Sequence, residues 1–200
     1  MKIAMAQINP TVGDLEGNVQ EIRCYIRESK KKKANLVAFP ELAITGYSPQ
    51  DLLYENGFIQ ENKASLEKIA QESEDITTVV GFVDFDPSKK GNDGTEIKYN
   101  AGAIIKDGKL IGVQYKTLLP TYDVFDEDRY FTPAVEHNVF DIDGVRLGVE
   151  ICEDLWDEGY KTKVTKKLAD KGADLILNLS ASPFHACMHT AQRLTATIID

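Results

Sequence analysis

Short apolar runs and one amphipathic pattern organise the first third of the chain. Residues 2–8 alternate apolar and polar side chains as a strand does, and residues 18–33 repeat apolar side chains at helical spacing. Residues 36–39 form an apolar run that ends at a proline, which predicts a short buried strand. Glycine and proline interrupt residues 42–56, so a loop is expected there, before a second helix over residues 58–71.

The middle of the chain is rich in strand patterns and in tight-turn residues. Residues 77–83 are β-branched and apolar and predict a strand, whereas residues 84–96 are rich in Asp, Gly, Lys, Pro and Ser and predict an exposed loop. Residues 100–105 and 110–116 form a predicted hairpin, because Asp107-Gly108 supplies the positive φ angles of a tight primed turn.

A second hairpin and a closing set of elements complete the pattern. Asp143-Gly144 joins predicted strands over residues 139–142 and 145–151 in the same way. Three more elements are predicted: a helix near residues 160–171, a buried strand over residues 175–179 and a helical tail from about residue 186 to the end. Helices alternate with strands while two hairpins lie in the middle, which predicts an α/β (α+β) fold with a mixed sheet layered by helices.

Composition narrows the class of protein. The 200 residues are 42% hydrophobic, enough for one sizeable core, so a single domain over residues 1–200 is expected. No apolar run approaches the roughly 20 residues that span a bilayer, and no charged and apolar leader opens the chain, so a cytoplasmic protein without a membrane segment is expected. The net charge of −9 opposes binding to nucleic acid. The cysteines are odd in number and far apart, which disfavours a disulfide framework or a paired-cysteine zinc site.

Three polar residues stand at the ends of three predicted strands. Glu41 follows the strand that closes before Pro40, Lys116 ends the second arm of the first hairpin, and Cys152 follows residues 145–151. In sheets layered with helices, reactive side chains collect beyond the strand ends, where a rigid scaffold presents them to a crevice. A cysteine at a sharp strand-to-turn junction also has the position of a nucleophile elbow.

These three residue types together can hydrolyse an amide. A thiol nucleophile needs a base for its proton and a group that stabilises the oxyanion of the tetrahedral intermediate. Glu41 is the candidate base, but its charge alone would raise the pKa of the Cys152 thiol. Lys116 offsets that charge and the developing oxyanion, and the backbone N–H of Glu153 is a second candidate oxyanion donor.

Each residue also has a simpler interpretation when it is taken alone. Cys152 could be a buried structural thiol, Glu41 a solvated loop carboxylate and Lys116 a surface lysine. His185 and His189 stand four residues apart on a possible helix, but without a third ligand no metal site is predicted.

Three segments also occur in a familiar order: Phe39-Pro40-Glu41-Leu42, then Lys116 within Tyr-Lys-x-Leu-Leu-Pro, then Glu150-Ile151-Cys152-Glu153-Asp154. Together they resemble the signature blocks of the carbon-nitrogen hydrolase (nitrilase) superfamily. Residues 45–53, 122–131 and 152–156 resemble the glutaminase domain of glutamine-dependent NAD synthetases in particular. The likeness extends from Ile3 to about Ser182.

The resemblance implies a four-layer α-β-β-α sandwich of the nitrilase type that hydrolyses the side-chain amide of glutamine. Cys152 would form a γ-glutamyl thioester, Glu41 would act as general base and then activate water, and Lys116 would support the tetrahedral intermediate. Four residues would line the glutamine pocket: Tyr122, Phe125, Glu153 and Ser182.

Glu127 is left open between two interpretations. It could be a second carboxylate near the site, or a loop residue paired with Arg129. The family also carries a basic residue soon after Ser182-Pro183-Phe184-His185, where this chain has Cys187 and Met188.

The resemblance further implies that ammonia passes to an NAD synthetase domain. The sequence has no Ser-Gly-Gly-x-Asp-Ser pyrophosphate loop and no Walker-type loop, so ATP and the NAD precursor are expected to bind a synthetase domain that these residues do not include. The amidase step itself is expected to need no cofactor or metal. The family domain continues with further strands, so the sandwich is expected to be incomplete at its C-terminus, and a homo-oligomer is expected.

Two other functions stay open from the sequence. One is a stand-alone amidase, ω-amidase or nitrilase-like hydrolase that acts on other small amides. The other is a catalytically inactive fragment that binds a partner through an incomplete sheet.

Overall fold

The computed structural model describes residues 1–55, 57–91, 94–183 and the backbone of 194–198. The first of its two sheets has five strands, in the order β1-β2-β3-β4-β5. The strands are β1 (Ile3–Met5), β2 (Leu36–Ala38), β3 (Thr77–Lys90), β4 (Glu96–Lys106) and β5 (Lys109–Tyr115). The first three are parallel, and the last two continue as an antiparallel meander.

The second sheet has four strands, in the order β6-β7-β8-β9. They are β6 (Val139–Ile142), β7 (Val145–Ile151), β8 (Leu175–Leu179) and β9 (Leu194–Ile198). Only β7 and β8 are parallel, and the other two pairs are antiparallel.

Helices cover the outer face of each sheet. Helices α1 (Leu15–Lys31) and α2 (Phe58–Glu72) pack on the first sheet through a core that includes Ile22, Ile69 and Val80. Asp14 caps α1 by accepting a hydrogen bond from the N–H of Gly17, which satisfies a donor of the first turn. On the second sheet, α3 (Val164–Asp170) buries Val164 and Leu168.

The inner faces of the two sheets form a continuous apolar core. Leu36, Val79 and Ile104 of the first sheet pack in one cluster with Val149 and Leu177 of the second. Strands buried on both faces read as nearly uninterrupted apolar runs, which is how β2 and β8 appear in the sequence. The order of layers is helix, sheet, sheet, helix, so the predicted α-β-β-α sandwich is confirmed.

Both predicted tight turns are present. Asp107 and Gly108 have φ angles of 49° and 74°, and Asp143 and Gly144 have 53° and 83°. Two successive positive φ angles are what a type I′ hairpin turn requires.

The loop predicted over residues 84–96 is wrong at both ends, because residues 84–90 and Glu96 belong to strands. β3 runs through to Lys90 and β4 begins at Glu96, and Asp84 pairs in register with Tyr99. Asp84 is buried in the strand because Lys63 and the hydroxyl of Tyr115 bind its carboxylate. These partners come from distant parts of the chain, so local composition did not reveal them.

The predicted helical tail is also wrong over residues 194–198. Leu194–Ile198 is a strand that pairs antiparallel with β8, whose edge it covers. Its alternation of Leu, Thr, Ala, Thr and Ile has the period of a strand and two threonines, which favour that conformation. The predicted helix at residues 160–171 is shorter in the structure, Val164–Asp170. No helix among the described residues is long and apolar enough to cross a bilayer.

Candidate active site

Glu41 lies in a buried turn directly after β2. The turn packs against β3 at Gly81, where an added Cβ would lie 2.4 Å from the carbonyl oxygen of Pro40 and from the N of Leu42. Only glycine permits this close approach of two backbones. Glu41 is 1% exposed, and its carboxylate faces the interior rather than solvent.

Lys116 follows β5, where its N–H donates to the carbonyl of Asn100 on the neighbouring strand at 2.8 Å. Its side chain is completely buried, and Nζ lies 2.8 Å from Glu41 Oε1. Nζ also lies 2.8 Å from Glu127 Oε1, so one ammonium group bridges two carboxylates. A buried lysine without such partners would lose its charge.

Cys152 directly follows β7 and is the first residue of a short 3₁₀ helix, Cys152–Leu155. Its φ angle is 47°, a left-handed conformation that is strained for a residue with a Cβ. The Sγ atom lies 3.4 Å from Ser180 Oγ and 3.7 Å from Ser182 Oγ. The amide of Asn178 binds the Cys152 carbonyl at 3.2 Å, which helps to hold the turn.

Burial and two neighbouring charges of opposite sign set the pKa of the Cys152 thiol. Burial and the charge of Glu41 raise the pKa of Cys152, Lys116 and the two serine hydroxyls lower it, and the net result is a pKa of about 12. The thiol is therefore protonated near neutral pH, and it needs a base when it reacts. Burial by itself would lower the pKa of Lys116, but Glu41, Cys152 and Glu127 together hold it well above the usual value.

Glu127 lies beside Lys116 and not beside Arg129. Its Oε1 accepts hydrogen bonds from Lys116 Nζ and from the Tyr47 hydroxyl, at 2.8 and 2.9 Å. Arg129 instead lies 3.7 Å from Asp51. Burial raises the pKa of Glu127, Lys116 lowers it, and Glu41 raises it further. Of the two interpretations left open by the sequence, the structure shows the second carboxylate near the site.

The segment after β8 and one strand residue contribute polar groups that the sequence analysis missed. The Asn100 amide donates to Glu41 Oε1 at 2.8 Å, and the N–H of Ala181 donates to Glu41 Oε2 at 3.2 Å. Asn100 interrupts an otherwise apolar run in β4, and a polar residue in a buried strand was the signal available in the sequence.

Glu153, next to Cys152, is held by two tyrosines. The hydroxyl groups of Tyr122 and Tyr160 donate to its two carboxylate oxygens at 2.8 and 2.9 Å. Burial and the hydrogen bond to Glu153 raise the pKa of Tyr160 to about 12. Phe125 meets the Tyr122 ring edge-on, with ring centroids 5.5 Å apart. Three of the four residues predicted for substrate binding thus form one group near the nucleophile.

A cavity of about 220 Å³ opens beside Glu41. Its wall includes Tyr47, Ser180, Ser182 and residues 7–10. Ser182, the fourth predicted pocket residue, contacts Cys152 Sγ and also lines this space. Glu41 and the two serines that contact the Cys152 thiol therefore line the same cavity.

The remaining sequence hypotheses fall on other parts of the chain. His185, Cys187, Met188 and His189 lie outside the described residues. Within residues 1–55, 57–91 and 94–183, no cluster of three or more His, Cys, Asp or Glu side chains is arranged to hold a metal ion.

Residues 2–197 match the family model for carbon-nitrogen hydrolase, and the chain belongs to this family of enzymes. Glutamine-dependent NAD(+) synthetase of Thermotoga maritima is 41% identical over 187 residues, which are 92% of this chain and 31% of the relative. The enzyme of that name from Acinetobacter baylyi is 37% identical, over 97% of this chain and 34% of the relative. The chain thus spans about a third of the length of these curated relatives.

Solved structures agree with the fold. Glutamine-dependent NAD+ synthetase from Acinetobacter baumannii superposes with a TM-score of 0.80 at 36% identity, over 92% of this chain and 32% of that one. An amidase from Nesterenkonia sp. superposes with a TM-score of 0.78 over 93% of this chain and 66% of that one. Its identity is 20%, so this second likeness concerns the fold alone.

Proposed function

We propose that this chain hydrolyses the side-chain amide of glutamine to glutamate and ammonia through a thioester on Cys152. The observation that carries the proposal is the burial of Glu41 and Lys116 in direct contact, with the Cys152 thiol within their electrostatic reach. The names of the relatives support glutamine as the substrate, because each is a glutamine-dependent synthetase.

In the first half of the reaction, Cys152 attacks the amide carbonyl carbon. Its proton moves to the Glu41 carboxylate as the carbon-sulfur bond forms, which the high pKa of the resting thiol requires. The oxyanion is stabilised by Lys116 and the backbone N–H of Glu153. When the carbon-nitrogen bond breaks, protonated Glu41 returns the proton to nitrogen and ammonia leaves.

In the second half, water replaces ammonia. Glu41 takes a proton from water as its oxygen attacks the thioester carbonyl. The carbon-sulfur bond then breaks, and the proton held by Glu41 returns to the Cys152 sulfur. The product's new γ-carboxyl group releases its proton to solvent as glutamate leaves, and Glu41 and Cys152 regain their starting protonation states.

Recognition of the rest of the substrate is assigned to the group beside the nucleophile. Glu153 carries a carboxylate fixed by two tyrosine hydroxyls and, within the described residues, forms no ion pair. It can accept the α-ammonium group of glutamine. Tyr122 and Phe125 would cover the aliphatic part of the substrate, and Ser182 would bind near the reacting amide.

The ammonia acceptor belongs to the same proposal. Because the curated relatives are about three times as long as the matched region, we assign ATP and the NAD precursor to a synthetase domain outside these residues. Such a domain would consume the ammonia, and self-association stays a prediction.

A glutamine analogue with an electrophilic diazoketone tests the chemistry and the substrate together. We expect one equivalent to attach to Cys152, as shown by peptide mass mapping, and glutamine to protect against it. Cys24→Ser is the matched control, because Cys24 is an exposed thiol on α1 and should not affect labelling.

The outcome distinguishes the alternatives. Turnover of short aliphatic amides but not of glutamine would indicate a stand-alone amidase. A folded chain that shows no labelling and no turnover would indicate an inactive domain and contradict the proposal.

A further inference from the structure

Asp154 is a fully enclosed carboxylate that the reaction described above does not use. It is 1% exposed and lies two residues after the nucleophile. Its Oδ1 accepts from the N–H groups of Thr117 and Leu118 at 3.0 and 2.8 Å, and its Oδ2 accepts from the N–H of Ile151 at 3.1 Å. No ion pair with Asp154 occurs within the described part of the chain.

The backbone groups that meet on Asp154 come from different sheets. Thr117 and Leu118 directly follow Lys116, beyond the end of β5 in the first sheet. Ile151 directly precedes Cys152, at the end of β7 in the second sheet. The sheets contact each other through apolar side chains, and such non-directional packing does not by itself fix the position of one sheet relative to the other. Directional hydrogen bonds between the ends of β5 and β7 can fix that position.

We propose that Asp154 is a positioning residue that ties the Cys152 turn to the Lys116 segment and so sets the distance between the nucleophile and its cation. One oxygen holds the segment that carries Lys116, and the other holds the residue before Cys152. Asp154 is not part of the wall of the cavity beside Glu41. Its effect on the reaction therefore passes through the placement of the other groups.

The contact requires two acceptor oxygens on the side chain. All three partners are N–H donors, so both oxygens must act as acceptors. An asparagine has the same shape but offers an acceptor at one position and an NH₂ donor at the other. It can keep the bonds to Thr117 and Leu118 only by setting its NH₂ against the N–H of Ile151, which releases the Cys152 turn.

The inference rests on the proposed hydrolysis of glutamine, and the Asp154→Asn variant of the whole chain tests it. We expect the variant to fold, with kcat reduced on the order of 10-fold to 100-fold, because small displacements of reacting groups have effects of that size. KM should stay within about twofold, since the substrate-binding group around Glu153 is not altered. Alkylation of Cys152 by iodoacetamide should change rate as well, since the turn is released.

Glu72→Gln is the control. Glu72 is also a carboxylate that joins two elements, but it binds Arg23 and Arg27 on α1, away from the site. It should leave kcat and the alkylation rate unchanged. A folded Asp154→Asn variant with wild-type kcat, or with a loss that only follows its folded fraction, would overturn the proposal.

Two further readouts keep the outcomes separate. If Asp154→Asn does not fold, Asp154→Glu replaces it, because this variant keeps both acceptor oxygens but adds a methylene group. Its kcat should fall while its KM is retained. A wild-type kcat for Asp154→Glu would overturn the proposal. If the wild type does not hydrolyse glutamine, the proposed function fails by itself. The iodoacetamide rates of wild type and Asp154→Asn still test the tie, because they need no substrate, and equal rates would reject it.

Discussion

Lys116 Nζ and Glu41 Oε1 lie 2.8 Å apart, and both side chains are completely shielded from solvent. Glu127 completes the group from the other side of the ammonium. A buried ion pair of this kind is weak support for stability, because desolvation offsets much of the attraction. Its presence beside a strained cysteine is better explained by chemistry, since charged groups are retained where a reaction needs them.

Lys116→Met is expected to destabilise the fold strongly. It leaves Glu41 and Glu127 buried without their shared cation, and breaking a buried pair in this way typically costs about 3–5 kcal/mol. Urea unfolding measures the change in the free energy of unfolding. Lys31→Met is the control, because its ion pair with Glu28 lies on the surface and should contribute far less. Equal stability of the two variants would contradict the buried bridge.

Glu41→Gln is expected to lower both the rate of hydrolysis and the pKa of the Cys152 thiol. Hydrolysis should fall by about 10²-fold or more because the base is lost. The pKa of Cys152 should nevertheless decrease, because Glu41 raises it while Lys116 lowers it. Thiolate absorbance in the ultraviolet, followed against pH in a Cys24→Ser, Cys187→Ser background, measures this pKa. An unchanged or higher Cys152 pKa would show that the two groups do not interact.

Asp154 is expected to give stability a pH dependence of definite sign. Burial outweighs the three backbone hydrogen bonds and raises its pKa to about 7, from 3.8. The folded state therefore binds the proton more tightly than the unfolded state. The stabilisation is fully present below about pH 4 and is lost as pH rises through about 7. The pH dependence of unfolding should accordingly weaken in Asp154→Asn, which cannot titrate. An identical dependence in wild type and variant would be inconsistent with the raised pKa.

Much of the scaffold follows from local sequence. The turns at Asp107-Gly108 and Asp143-Gly144 were predicted because positive φ angles leave few residue choices. The buried strand Leu175–Leu179 has the predicted bounds, since a fully enclosed strand is uniformly apolar. The placement of Glu41, Lys116 and Cys152 after strand ends was also visible in the sequence.

Other features depended on contacts between distant residues. Asp84 looks like a loop residue until Lys63 and Tyr115 are seen to bind it. Asn100 and Asp154 look unremarkable until their partners across the sheets are known. Such polar groups are buried only because the fold supplies hydrogen bonds to them, and the spacing of residues in one sequence does not show those bonds.

The most direct test of a reactive thiol assisted by an acid and a cation is interception of the acyl-enzyme. The chain is mixed with glutamine and quenched rapidly in acid, and the mass of the intact protein is measured by mass spectrometry. A parallel reaction contains hydroxylamine, which competes with water for the thioester. We predict a mass increase equal to glutamine less ammonia, located on Cys152, and formation of γ-glutamyl hydroxamate, both absent in Cys152→Ala. Ammonia release that persists in Cys152→Ala, or that proceeds without adduct or hydroxamate in the wild type, would contradict the proposed reaction.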